Sequence, residues 1–239
     1  PARVDSLWYA GRTGAAHAEI AMHLPAARTA GDSLLVFELL SRQGSMWSAM
    51  GQGSGAVGAL TEAMALGEAL GGPRVTEARL VGTLRWLGVA YYVLGRNDQG
   101  HAVFSEMHDR AVRIGDRDQE AWALTGLGYY EKEQGGLQPA AELYQRAIDL
   151  FREIGEQRGE IFALNGVGTV YQRVGAYAEA RACYRRTAEL GRRLGRAFTT
   201  ALAENNLGAL EYMLGDPGRA VAHFREAARL QLADGAHRE

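Results

Sequence analysis

Three short strings hold the residue types that hydrolytic chemistry needs. Gly31-Asp32-Ser33-Leu34 offers a serine hydroxyl and Gly95-Arg96-Asn97-Asp98 an asparagine amide. Asp234-Gly235-Ala236-His237 sets an aspartate three residues before a histidine. A serine nucleophile needs a base within reach and a donor for the oxyanion, and these side chains are of the right kinds. Gly53-Ser54-Gly55-Ala56-Val57-Gly58 matches G-x-G-x-x-G. That pattern cradles phosphate where a strand leads into it, and neither a strand pattern nor a phosphate-loop lysine accompanies it here. At most, the N-terminus of the following helix could hold an anion. His101 and His108 are seven residues apart, whereas helical metal pairs usually sit four apart, so both read as surface or packing residues. Cys183 is the single cysteine, which excludes an internal disulfide and a Cys-based zinc knuckle; it reads as an inert buried thiol. Arg181, Arg185, Arg186, Arg192, Arg193 and Arg196 make one segment strongly basic, with Glu179 and Glu189 as partial partners. A solvated face explains it, because the chain's net charge is −2 and its pI about 6.4, which leaves no overall basic footprint for nucleic acid. No metal or cofactor is expected.

The elements that would position such groups follow from composition and repetition. The chain has 239 residues, 47% apolar and 23% charged, the balance of a globular protein. No apolar run approaches the ~18 residues of a membrane span; Leu34-Leu35-Val36-Phe37 soon meets Glu38. Pro1-Ala2-Arg3-Val4-Asp5 carries no apolar signal region, and a cytoplasmic setting is the expectation. Gly88, Gly128, Gly168 and Gly208 recur every 40 residues, each followed seven residues later by Gly95, Gly135, Gly175 or Gly215. A third column closes each unit at Gly115, Gly155, Gly195 and Gly235. The columns extend back through Gly44, Gly51 and Gly71 to Gly11 and Gly31. One spacing is four residues longer, between Gly71 and Gly95, and lengthens a helix or the loop before it. Apolar residues between the glycines follow the helical period, as in Ala140, Tyr144, Ala147, Ile148 and Phe151. Each unit is therefore two helices, and no alternating strand pattern is present. Asp216-Pro217 predicts a capped helix start; Gln138-Pro139 places a proline at the equivalent point, and Asn97 or Asp98 can cap the corresponding helix.

These columns resemble the tetratricopeptide repeat in its roughly 40-residue form. The matching positions are Gly44, Gly88, Gly128, Gly168 and Gly208 of the first helix, preceded in most copies by Leu87, Leu127, Val167 or Leu207. Ala16, Ala56, Ala140, Ala180 and Ala220 match at the start of the second. Ile20, Leu60, Phe104, Tyr144, Tyr184 and Phe224 occupy its bulky column. Ala63, Ala147 and Ala227 fit the next small column, while His23, Met107, Thr187 and Gly100 depart from the pattern. The resemblance implies an all-α, right-handed superhelical solenoid of about five repeats. Residues 1–31 are a partial repeat, and 32–71, 72–115, 116–155, 156–195 and 196–235 are full ones, in a single domain over 1–239. Because Gly11 ends a first helix that would begin before Pro1, the chain is expected to be a piece of a longer protein. The three strings of the opening paragraph also resemble the blocks of GDSL hydrolases. That likeness implies Ser33 as nucleophile, His237 as its base, Asp234 as the orienting carboxylate and Asn97 as an oxyanion donor. That family needs a strand before its serine, and each string also has a repeat explanation, so no enzyme activity is expected.

The repeat resemblance implies a concave groove lined by positions six and three residues before the first-helix glycine and one, four and five after it. These are Glu38, Ser41, Ser45 and Ser48; Arg85, Val89 and Tyr92; and Trp122, Thr125, Tyr129 and Lys132. Further on come Phe162, Asn165, Thr169, Gln172 and Arg173, then Asn205 and Tyr212. Asn165 and Asn205, one repeat apart, could grip an extended peptide backbone. Arg85, Lys132 and Arg173 would favour an acidic segment. The lysine–asparagine clamp of co-chaperone repeats is not recognisable. The expected function is non-catalytic binding of a peptide segment of another protein, within a bacterial regulatory protein. The alternative is a ligand- or peptide-sensing domain of a transcription activator. An exposed terminal helix face also invites self-association.

Overall fold

The computed structural model describes residues 2–236, without the side chains of 234–236; His237 lies outside the described residues. Twelve helices follow one another: α1 (Ala2–Tyr9), α2 (Thr13–Thr29), α3 (Ser33–Ala49), α4 (Gly53–Leu70), α5 (Glu77–Val93), α6 (Asn97–Ile114), α7 (Arg117–Glu133), α8 (Leu137–Ile154), α9 (Gln157–Arg173), α10 (Tyr177–Arg193), α11 (Ala197–Met213) and α12 (Pro217–Ala236). Among the described residues there is no strand, as the helical periodicity predicts. The odd-numbered helices from α3 on are the first helices of helix–turn–helix repeats. The even-numbered helices from α4 on are the second. Contacts divide the chain into two compact units, residues 1–126 and 127–239, a division that falls inside α7.

In the first unit, Val4, Ala16, Ile20, Leu39 and Met46 form one buried cluster, and Ala56, Leu60, Leu87 and Ala90 another. Phe104 of α6 is held between two glycines. A Cβ on Gly88 would stand 2.5 Å from its ring, and one on Gly126 would stand 2.6 Å from it. In the second unit, Tyr144 of α8 lies in the same way between Gly128 and Gly166, where added Cβ atoms would come within 3.2 and 2.4 Å. Tyr184 packs on Gly168 with Ala180, Leu207 and Leu210. The glycine and aromatic columns of the sequence are thus two sides of one contact. A hydrogen in place of a side chain leaves the thickness of one ring between helices, at the density of a protein interior.

Several corners between helices are closed by a glycine and an acid. After α6, Gly115 adopts φ +71° and Asp116 accepts from the Gln119 amide (3.1 Å). Asp32 accepts from Leu35 (3.0 Å) and Asp216 from Arg219 (2.9 Å), each satisfying a free amide of the first turn. The cap expected at Asn97 or Asp98 is a correction. Arg96 holds the capping position, its side chain makes no capping bond, and Asn97 is already helical. The reason is the register of the repeat: the capping position is the residue directly after the corner glycine, as Asp216 is after Gly215, and after Gly95 that residue is Arg96. For the same reason α8 starts at Leu137, and Pro139 is its third residue rather than its first. The four-residue insertion lies wholly in the loop 71–76, and α5 keeps the 17-residue length of the other first helices.

Candidate functional site

The first-helix positions singled out by the repeat share one face, because steps of three and four residues advance about one helical turn. In the first unit, α3 spends its polar side chains internally. Arg79 donates to Glu38 Oε1 (2.7 Å), Ser41 Oγ lies 3.4 Å from Thr83 Oγ1, and Ser45 donates to the Arg42 carbonyl (2.9 Å). Ser48 donates to the carbonyls of Gly44 (2.8 Å) and Trp86 (3.1 Å). The Arg85 guanidinium lies flat over the Trp122 ring, 3.9 Å from its centre. Val89 is half-buried, Thr125 donates to the Ala121 carbonyl (2.9 Å), and Tyr92 is 49% exposed.

In the second unit, Lys132 Nζ sits 4.9 Å above the Tyr129 ring and 3.2 Å from Glu133 Oε1. Arg173 donates to the Lys132 carbonyl (2.9 Å). Thr169 donates to the Gly166 carbonyl (2.7 Å). Tyr184 donates to Gln172 Oε1 (2.9 Å), and Gln172 Nε2 reaches Met213 Sδ (3.1 Å). The side chain bonded to Asn165 is Asn206, whose Nδ2 donates to Asn165 Oδ1 (2.8 Å); Asn205 stands exposed beside it. Phe162 is 55% exposed and Tyr212 69%. Sequence reasoning missed Asn206 and three exposed apolar side chains of the same face, Phe198, Leu202 and Met213. The signal for two of them was available. Leu202 lies six residues before Gly208 and Met213 five after it, and Phe198 is one turn before Leu202.

The remaining candidates resolve into packing and capping. Helix α2 leads into Gly31, and Ser33 opens α3 with Asp32 as its cap, so the strand-to-helix turn of a serine hydrolase is missing at this point. Gly53 is buried where a Cβ would meet Leu94 Cγ at 2.7 Å and the Ala90 carbonyl at 3.0 Å, which gives that glycine a packing role. Among the described residues no group of three or more His, Cys, Asp or Glu side chains could hold a metal. Burial pushes the Cys183 thiol up to about 11, against a smaller opposing effect of Arg152. A thiol so shifted stays protonated and weakly nucleophilic near neutrality. Burial raises Tyr184 as well. Half of the basic segment is engaged. Arg181 donates to buried Glu211 (2.8 Å), Arg186 to Glu189 (2.9 Å), and Arg192 pairs with buried Glu204.

The sequence matches the tetratricopeptide-repeat family over residues 78–153 and 160–233. No curated protein matches the sequence. Among solved structures, BtubC from P. vanneervenii is similar with a TM-score of 0.74 at 18% identity, covering 91% of this chain and 90% of that one. A Rap protein complexed with competence and sporulation factor gives 0.73 at 13% identity, over 97% of this chain and 71% of that one. The signal-transduction ATPase with numerous domains from Pyrococcus horikoshii, which carries a tetratricopeptide-repeat sensor, gives 0.64 at 19% identity, over 85% of this chain and 32% of that one. At these identities the likeness is one of fold. No helix among the described residues is long and apolar enough to cross a membrane.

Proposed function

The chain belongs to the tetratricopeptide-repeat family, and on that premise we propose that it is a non-catalytic interaction module whose first-helix faces take a peptide segment of a partner protein. The observation that carries this reading is that the first-helix faces of each unit bear exposed aromatic rings: Tyr92 on α5 in the first, and Phe162 on α9 and Tyr212 on α11 in the second. Large aromatic rings are among the side chains that anchor protein partners, and burying each on binding supplies affinity at little cost in side-chain freedom. Around them stand the other groups of the site: Arg85, Trp122 and Thr125 in the first unit, and Tyr129, Lys132, Asn165, Thr169, Gln172, Arg173 and Asn205 in the second. An acidic segment would have to exchange with the contacts already made by Arg85, Lys132 and Arg173, so acidity is a secondary selectivity. The setting we propose is a bacterial regulatory protein of the cytoplasm. The Rap complex and the sensor-bearing ATPase support a second form of the reading, in which the segment is a signalling peptide and the repeats are the sensor.

The test is capture from bacterial lysate, read by mass spectrometry, with the parent chain beside a Tyr92→Ala/Phe162→Ala variant. Both side chains are exposed, so the variant keeps its fold. A protein or peptide retained by the parent and reduced about tenfold or more in the variant supports the reading. Equal retention by both chains removes the site from these faces.

A further inference from the structure

The second unit specifies the chemistry of the segment more closely. Helices α9 and α11 lie side by side, tied near their middle by Asn206 to Asn165 (2.8 Å) and near their ends by Gln172 to Met213 (3.1 Å). Their outward faces divide into three zones. At the N-terminal end stand Phe162, Phe198 and Leu202, with Phe198 64% exposed. At the C-terminal end stand Tyr212 and Met213, both more than half exposed. Between them are amides and a hydroxyl: Asn205, the Asn165–Asn206 pair and Thr169. Of the cations bordering this face, Lys132 is engaged by Glu133 and Arg173 by the Lys132 carbonyl, while Arg158, one turn before Phe162, is exposed.

Resting on the peptide-binding reading above, we infer that α9 and α11 hold an extended segment carrying two apolar side chains five or six residues apart. One enters the Phe198 end and the other the Tyr212 end, and the main chain between them bonds to the amides. The spacing follows from the helix rise. Leu202 and Phe198 precede Tyr212 by 10 and 14 residues, which is about 15–21 Å along α11. An extended chain covers that span in five or six residues at about 3.3 Å each. The amide zone selects an extended segment over a helix. Only an extended main chain presents unpaired N–H and C=O groups along its length, and Asn side chains can both donate to and accept from them. Charge is secondary in the match, because Lys132 and Arg173 are committed to contacts within the chain.

The full chain is panned against a phage-displayed library of random 12-residue peptides, and the enriched sequences are synthesised and titrated by fluorescence anisotropy. Enriched peptides are expected to share two apolar residues five or six apart. Their affinity is expected to fall at least tenfold in Phe198→Ser and in Tyr212→Ser, and to change less than twofold in Arg185→Ala, an exposed side chain of α10. Unfolding midpoints of the variants confirm that the fold is intact. Acidic peptides weakened by Arg173→Ala overturn the inference. So do apolar spacings of ten or eleven, which mark a bound helix, and peptides sensitive to Tyr92→Ala instead. In each of those cases peptide binding itself stands. If no peptide is enriched, the peptide-binding reading fails with the inference.

Discussion

Two glycines of α5 carry opposite predictions. An alanine inside a helix is worth about 0.5–1 kcal/mol more than a glycine. At Gly82 an added Cβ meets nothing within 4 Å, so Gly82→Ala is expected to stabilise the chain by that amount. At Gly88 the same Cβ would stand 2.5 Å from Phe104 Cε2 and 2.7 Å from its Cζ. The ring cannot retreat, because Gly126 of the next repeat lies against it, where an added Cβ would also come within 2.6 Å. Overpacking of this kind costs about 1–3 kcal/mol, which outweighs the gain in helix propensity. Urea unfolding of the two variants reads the signs, and a Gly88→Ala chain as stable as the parent would show that the ring has room after all. Cys183 gives a pH prediction. Its folded value of about 11 lies above the ordinary 9.0, so the neutral thiol's contribution to stability is complete below about pH 9 and fades as the pH rises toward 11. A Cys183→Ala chain should lose less stability across that interval than the parent. At pH 8 a disulfide reagent should label the urea-unfolded chain at once and the native chain slowly.

At the level of helices, one column breaks its own pattern. Leu40, Leu84, Leu124 and Leu164 are buried four residues before their glycines, and the fifth copy is Glu204, buried as deeply. Its carboxylate accepts from Arg192 on α10 and lies 2.7 Å from His223 Nδ1 on α12, so it joins three helices. Replacing a buried charged cluster with an apolar residue is often neutral or stabilising, whereas removing one partner strands the charge. Glu204→Leu is therefore expected to leave the melting temperature unchanged or raise it. Arg192→Ala is expected to destabilise by about 1–2 kcal/mol, since Arg192 is half-exposed and His223 still pairs with the carboxylate. A Glu204→Leu chain that melts well below Arg192→Ala would show that the cluster stabilises more than a leucine can. The helices themselves were legible in the sequence, because a 40-residue period fixes which residues face inward. The pairing of Glu204 was not, since its partners lie 12 and 19 residues away and the packing of three helices decides whether they meet. Asn97 illustrates a smaller failure: its type suits a cap, but it stands one residue past the capping position, which Arg96 holds. The candidate site was legible as a set of positions and not as a set of free groups. The repeat put Asn165, Lys132 and Arg173 on first-helix faces, and only coordinates show Asn206, Glu133 and a carbonyl already holding them.

Across the whole chain, repeats of this kind are stabilised by what each unit does for its neighbour. The second-helix aromatics measure that directly. Phe104, Tyr144 and Tyr184 are buried, while Phe224 in α12, the last described helix, is 38% exposed. The first two owe their burial to Gly126 and Gly166 on the first helix of the following repeat. Phe224 packs on Gly208 of its own repeat, where an added Cβ would come within 2.7 Å of the ring, and Val221 and Leu232 stand exposed along the same helix. Local opening free energy rises with buried apolar contact, so within the second unit α12 should open before α8, α9 and α10. Hydrogen exchange read by mass spectrometry is expected to show α12 amides exchanging at least tenfold faster than those of α8. The same argument ranks two truncations. Tyr144→Ala removes a ring enclosed on two sides and is expected to cost about 3–5 kcal/mol. Phe224→Ala removes a ring enclosed on one side and should cost about half as much. Equal costs, together with equal exchange in α8 and α12, would mean that Phe224 is covered in solution by something other than its own repeat. A dependence of that protection on protein concentration would identify the cover as a second copy of the chain.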